Sequence, residues 1–153
     1  MTENLITLDQ LNTRIGEVVG TSRWFMIHQP RIDRFADATE DHQWLHVNTE
    51  RANKESPFGS TIAHGLLTLS LIPAFFDSAL CVLETRMGVN YGLNRVRFTA
   101  PVPVGSRLRA RLTLLSSEPI EQNGFQMVWS VSVEREGAAK PVCVAESIAR
   151  RYP

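Results

Sequence analysis

The sequence has few of the features that announce a chemistry. Its 153 residues include two cysteines, Cys81 and Cys143. They lie far apart in unlike contexts, which suits a reducing cytoplasm better than a disulfide framework. Sixteen Lys and Arg balance sixteen Asp and Glu, so no net field draws the chain to nucleic acid or to an anionic membrane. The longest strongly apolar run, Leu66 to Phe76, contains Pro73 and is shorter than the roughly 20 residues a bilayer span needs. The amino-terminal MTENLITLDQLNTR has no basic start followed by an apolar stretch. A secretory signal is therefore not expected, and the expected location is cytoplasmic. Also missing are a Gly-rich phosphate loop, a Ser nucleophile elbow and a Cys/His pair in a supporting context.

What is present begins with an ordinary balance of 43% hydrophobic and 21% charged residues. That composition fits a packed core in one domain over residues 1–153. A lead-in helix is expected over Leu5 to Leu11 with Thr7 as its cap, followed by an extended piece from Gly20 to His28. Pro30 suits a first helical turn. Ile32, Phe35 and Ala36 then recur at helical spacing, predicting a short one-sided helix that ends near Thr39. Asp41 to Val47 reads as a break, and Asn48 as the cap of a brief helix through Glu55.

From His64 to Ala79 the chain is apolar nearly all round, which predicts one long buried helix kinked at Pro73. After Arg86 the period becomes two. Val89, Tyr91 and Leu93 alternate, and Val96 and Phe98 continue on the other parity, a slip beside Gly92 and Asn94 that predicts a β-bulge. Leu108, Ala110, Leu112 and Leu114 alternate with Arg107, Arg109, Arg111 and Thr113. A hairpin turn at Glu121 to Gly124 leads to Phe125, Met127, Trp129, Val131 and Val133 on one face, and a final strand follows from Pro141 to Ile148. Four antiparallel strands after one long helix, with one earlier strand, give an α+β fold: a curved antiparallel sheet wrapped around a central helix. Its exposed edge or face predicts a dimer.

Few residues could carry chemistry. Asp41 and His46 stand five apart, and a carboxylate and an imidazole on one loop can hold a water and move its proton. On local signal alone, the favoured reading is a turn cap at Asp41 and a strand start at His46, because both residue types favour loops. Gly65 opens the apolar helix, where free amides and the positive helix end suit a developing oxyanion. Gly65 is also explained if the helix merely passes close to the sheet, and His64 then reads as a satisfied polar residue. His42 and His46 are spaced as in the zinc motif HExxH, but Gln43 stands where the glutamate would be and the segment reads as a loop. No metal is expected on those grounds. Arg107, Arg109 and Arg111 read as a solvated strand face.

Three blocks taken in order carry more: FADATEDHQWLHV, PFGSTIAHGLLTLSLIP and NYGLNRVRFTAPVPVGSRL. They resemble the MaoC-like (R)-specific enoyl-CoA hydratases over nearly the whole chain from Gly16, and DHQWLH is most similar to the nodulation-protein-N-like branch. The resemblance implies a hot-dog fold, a homodimer, no cofactor and a trans-2-enoyl thioester substrate on coenzyme A or acyl carrier protein. It implies that Asp41 and His46 activate the water, and that the Gly65 amide, with Ile62 and Ala63 beside it, binds the thioester oxygen. The chain departs from the family in carrying Gln43-Trp44 where Asn-Pro is common. Arg95 or Arg97 would meet the carrier, and the acyl chain would run near Trp44, Phe58 and Ile62. A hot-dog thioesterase and a non-catalytic acyl-carrier-binding module are the rival readings.

Overall fold

The computed structural model describes residues 4–153; residues 1–3, the start of the stretch read for a signal, lie outside the described residues. Thr7 is a cap, as expected. Its hydroxyl accepts the Gln10 amide at 3.2 Å, and the Gln10 side chain accepts the Thr7 amide at 3.0 Å, a reciprocal capping box. The helix it starts is α1 (Leu8–Asn12). The helix expected over Leu5 to Leu11 thus starts later, because Leu5–Ile6 form β1 and pair in parallel with β4 (Cys81–Val82).

The extended piece expected over 20–28 is two strands, β2 (Val18–Thr21) and β3 (Phe25–Ile27), both laid on β6 (Ser106–Ile120). Ser22 joins them. Its amide donates to the Ala110 carbonyl and its hydroxyl accepts the Ala110 amide, each at 2.9 Å, so a side chain continues the ladder across the gap. With β5 (Met87–Arg97), β7 (Gly124–Arg135) and β8 (Cys143–Tyr152) the sheet runs β2-β6-β7-β8-β5, with β3 on β6 and every pairing antiparallel. The register of β5 on β8 shifts between Asn90 and Gly92 and again between Leu93 and Val96. That is the slip expected beside Gly92 and Asn94. β8 continues past the expected end at Ile148, because Ala149 to Tyr152 still pair with β5.

One sheet face is closed to water. Leu108, Ala110, Leu112, Leu114, Met127, Val131 and Val133 are fully buried. On the other face Arg107 binds Glu136, and Arg109 and Arg111 both bind Glu134. Burial alone would raise the Glu134 pKa, but these two guanidinium bonds outweigh it and hold the carboxyl below its ordinary value.

The expected single helix over 64–79 is broken in two, α5 (Gly65–Ser70) and α6 (Ile72–Ala79). Pro73 is the physical reason. Its ring cannot donate to the carbonyl one turn back, whereas in the first turn of a new helix no such donor is needed. α6 is the filling. Phe75 is fully buried and meets Phe25 edge-on at 5.3 Å, and Phe76 meets Trp129 edge-on at 5.0 Å. Each such burial is worth about 1.5–3 kcal/mol. α5 buries Leu67 and Thr68 but leaves Leu66 59% exposed. A curved antiparallel sheet closed on a helical filling is the expected α+β hot-dog arrangement. Among the described residues no helix is long and apolar enough to cross a membrane.

Candidate active site

The first arm of the site is α2 (Gln29–Thr39), which ends where the spacing predicts. His28 caps it by accepting the Arg31 amide, and Pro30 lies in its first turn. Glu40 then adopts a left-handed backbone, φ 61°, and turns the chain so that Asp41 leaves the helix sideways. The break expected over Asp41 to Val47 contains a single helical turn, α3 (Trp44–Val47), and His46 stands on it. Asn48 caps α4 (Thr49–Glu55) as expected.

His46 is buried, and its Nδ1 lies 2.7 Å from the Ile62 carbonyl. A carbonyl only accepts, so Nδ1 carries the hydrogen and the Nε2 of the neutral ring offers a lone pair. Gln29 fixes the same residue from behind. Its amide nitrogen donates to the His46 carbonyl at 2.8 Å and to Asp33 at 2.8 Å, and its oxygen accepts the buried Thr61 hydroxyl at 2.6 Å. Asp41 is exposed, and its carboxylate accepts the Gln43 amide at 3.4 Å.

The third member is His64, which is 3% exposed and stands at the amino end of α5. Its ring stacks on His46 with centroids 3.9 Å apart and planes at 26°, and Phe35 lies against it at 4.9 Å. Nε2 is 3.0 Å from the Asp41 main-chain carbonyl and 4.0 Å from its carboxylate. Nδ1 is buried with no partner among the described residues. His64 is therefore not the satisfied polar residue expected. Desolvation lowers its pKa; the Asp41 carbonyl and carboxylate pull the other way, and His46 adds to the lowering.

Polar atoms of Asp41, His46 and His64 lie within 4.8 Å of one another. Two imidazoles stacked nearly parallel send their in-plane lone pairs alongside each other rather than toward one ion, so this cluster is poorly shaped for a metal. The pair singled out by spacing, His42 and His46, diverges instead. His42 is exposed and bound to Asp37 at 2.9 Å, and that bond raises its pKa.

Of the three residues expected around the oxyanion, two have committed amides. The Ile62 amide donates to the Leu45 carbonyl at 3.1 Å and the Ala63 amide to Val102 at 2.8 Å. The amides of Ile62 and Ala63, the residues expected beside Gly65, are thus held in backbone bonds, and the Ile62 carbonyl faces His46 Nδ1. In α5 the first backbone bonds are made by Leu67 and Thr68, both to the His64 carbonyl. The Gly65 and Leu66 amides thus have no acceptor within the helix. A Cβ at Gly65 would lie 2.8 Å from the Phe98 ring, so close packing is one reason for glycine there. Phe98 follows β5 directly, which brings the strand bearing Arg95 and Arg97 to the start of α5. Both arginines are exposed, and Arg97 donates to the Val96 carbonyl. Trp44 is half-buried beneath Arg51 at 4.3 Å, Ile62 is half-buried and Phe58 is exposed.

Sequence reasoning singled out Asp41, His46 and Gly65 but not Gln29 or Thr61, and it did not anticipate that His64 stacks on His46. A histidine inside the apolar run IAHGLL was the available signal for His64. Gln29 and Thr61 had none, because their partners lie 17 and 32 residues away in the chain.

A family profile described as "MaoC like domain" matches residues 10–136. The 3-hydroxyacyl-thioester dehydratase Z of Mycobacterium tuberculosis is 53% identical over 135 residues, covering 88% of this chain and 89% of that one. Nodulation protein N of Rhizobium leguminosarum is 46% identical over 144 residues, covering 94% and 89%. Among solved structures, the R-hydratase PhaJ1 from Pseudomonas aeruginosa superposes with a TM-score of 0.67 at 26% identity, covering 86% of this chain and 78% of that one. The fold, the order of the motifs and these matches agree, and the chain belongs to the MaoC-like family of hydro-lyases.

Proposed function

We propose that the protein catalyses the reversible syn addition of water to a trans-2-enoyl thioester, giving an (R)-3-hydroxyacyl thioester. The observation that supports this most is the convergence of Asp41 and His46. Their polar atoms lie within 4.8 Å with no direct bond between the side chains, a gap one water can bridge. In this reading Asp41 accepts one hydrogen of that water and His46 Nε2 accepts the other. The water oxygen bonds to C3 as its proton passes to Nε2, and the electron pair of the C2–C3 bond moves toward the thioester oxygen. Nε2–H then returns the proton to C2 on the same face, so one water is consumed and the imidazole ends neutral. The enolate-like oxygen would be held by the Gly65 amide at the mouth of α5, and losing such a donor typically costs about 10²–10³ in turnover.

Coenzyme A and acyl carrier protein both fit as the carrier, with Arg95 or Arg97 meeting it. The partner is proposed to be a second copy of the chain. β5 is an edge strand of the sheet, and its Met87, Val89, Tyr91 and Leu93 are 42–55% exposed, an apolar edge that a homodimer would cover. Sedimentation should give twice the monomer mass; a monomer at micromolar concentration contradicts the dimer.

Purified protein given trans-2-enoyl-CoAs of several chain lengths should consume the enoyl absorbance and form the (R)-3-hydroxy product. Release of free thiol from acyl-CoA without loss of enoyl absorbance would instead identify a thioesterase, and binding without turnover a carrier-binding module.

A further inference from the structure

His64 is an odd occupant for a purely structural position. A buried ring nitrogen without a partner costs about 1–3 kcal/mol, and the site is dry enough that the ring is 3% exposed. Such costs persist where a residue serves the site rather than the fold. What the ring touches says how it serves. Its Nε2–H can only donate to the Asp41 carbonyl, 3.0 Å away, so it ties the main chain of one half of the acid/base pair. Its face lies against the His46 ring at 3.9 Å, so it limits rotation of the other half. Phe35 packs against it at 4.9 Å, so His64 has little room to move.

We propose that His64 is a positioning residue for the acid/base pair, a neutral imidazole that fixes the Asp41 main chain by donation and the His46 ring by stacking. The inference rests on the hydratase reading of Asp41 and His46. Neutrality matters as much as place. In the proposed reaction His46 becomes an imidazolium for part of each turnover. A second cation stacked 3.9 Å away would oppose that proton uptake. The groups facing His64 are the His46 ring, the Asp41 carboxylate at 4.0 Å and, farther out, His42. Protonating His64 would put a hydrogen on Nδ1, where no acceptor lies. Burial, and the lack of an acceptor at Nδ1 among the described residues, both disfavour the charged ring and lower its pKa.

The test begins on the wild-type protein, with long-range ¹H–¹⁵N spectra of the imidazoles across pH. His64 should hold the neutral Nε2–H form below the pH at which a free histidine, about 6.5, protonates. Protonation at or above that pH overturns the proposal. Kinetics follow with His64→Phe, which keeps a flat face but cannot donate, and His64→Gln, which can donate but cannot stack. Because small misplacements of catalytic groups cost up to about 10²-fold, His64→Phe should lower kcat about 10- to 100-fold with KM within about threefold, and His64→Gln should recover part of the loss. The acid limb of the kcat/KM profile should shift in both variants. Unchanged kcat and acid limb in both, or a loss that follows KM and thermal stability alone, overturns the proposal. Asp41→Asn and His46→Gln are measured beside them. If those two retain turnover, the hydratase site reading fails and this inference with it; if they lose turnover while both His64 variants match wild type, this inference alone fails.

Discussion

The imidazoles of His46 and His64 lie stacked 3.9 Å apart and are polarised in opposite senses. His46 gives its Nδ1 hydrogen to the Ile62 carbonyl, and His64 gives its Nε2 hydrogen to the Asp41 carbonyl. One ring is thereby left with its lone pair on Nε2, and the other with a buried lone pair on Nδ1 that has no hydrogen-bond partner among the described residues.

Gly65 is held small by Phe98. A Cβ there would approach the ring to 2.8 Å, and forced overpacking costs about 1–3 kcal/mol. Gly65→Ala should therefore lower the midpoint of urea unfolding, and adding Phe98→Ala should make the alanine at 65 nearly neutral or mildly favourable, since alanine is the better helix former. A penalty at 65 that is the same with and without Phe98 would show that packing against the ring is not the reason.

Gln29 is required as an amide. It gives two hydrogens, to the His46 carbonyl and to Asp33, and takes one from Thr61. Gln29→Glu has the same shape but faces both acceptors with a carboxylate. Leaving these part-buried groups mismatched should cost about 1–3 kcal/mol at pH 7. Chemical denaturation measures it, and the loss should shrink as pH falls and the new carboxyl protonates. A variant as stable as wild type at pH 7 contradicts this arrangement.

His64 and pH are linked in a fixed direction. Its folded pKa is lowered, so below the ordinary value near 6.5 the unfolded chain binds a proton that the folded chain resists. The stability its neutral form contributes is thus full above about pH 6.5 and is lost as pH falls toward the lowered folded value. Unfolding free energies at pH 7.5 and 5.5 should differ less in His64→Phe than in wild type. An equal or larger difference in the variant contradicts the buried neutral ring.

Much of this was legible in the chain. Period-two alternation in residues 107–114 and 125–133 reports burial on one face, a local consequence of strand geometry. The Thr7 and Asn48 caps, the end of α2 near Thr39 and the slip beside Gly92 were readable for the same reason. The break at Leu71 was not, since Pro73 is compatible both with a kinked helix and with the start of a new one. β1 was missed because a two-residue strand exists only through its pairing with Cys81 and Val82. Asp41, His46 and Gly65 were singled out by type, spacing and resemblance. The bonds that orient them, from Gln29, Ile62 and His64, join residues 16 to 23 apart, and spacing carries no signal for such pairs.

The most direct test is hydration of crotonyl-CoA by Asp41→Asn and His46→Gln, each checked for a native fold by circular dichroism and thermal melting. Removing a positioned acid/base group costs about 10²–10⁴-fold, so each variant should lose at least about a hundredfold in kcat while keeping its fold. Near-wild-type turnover by either variant would contradict the assignment of the water to this pair.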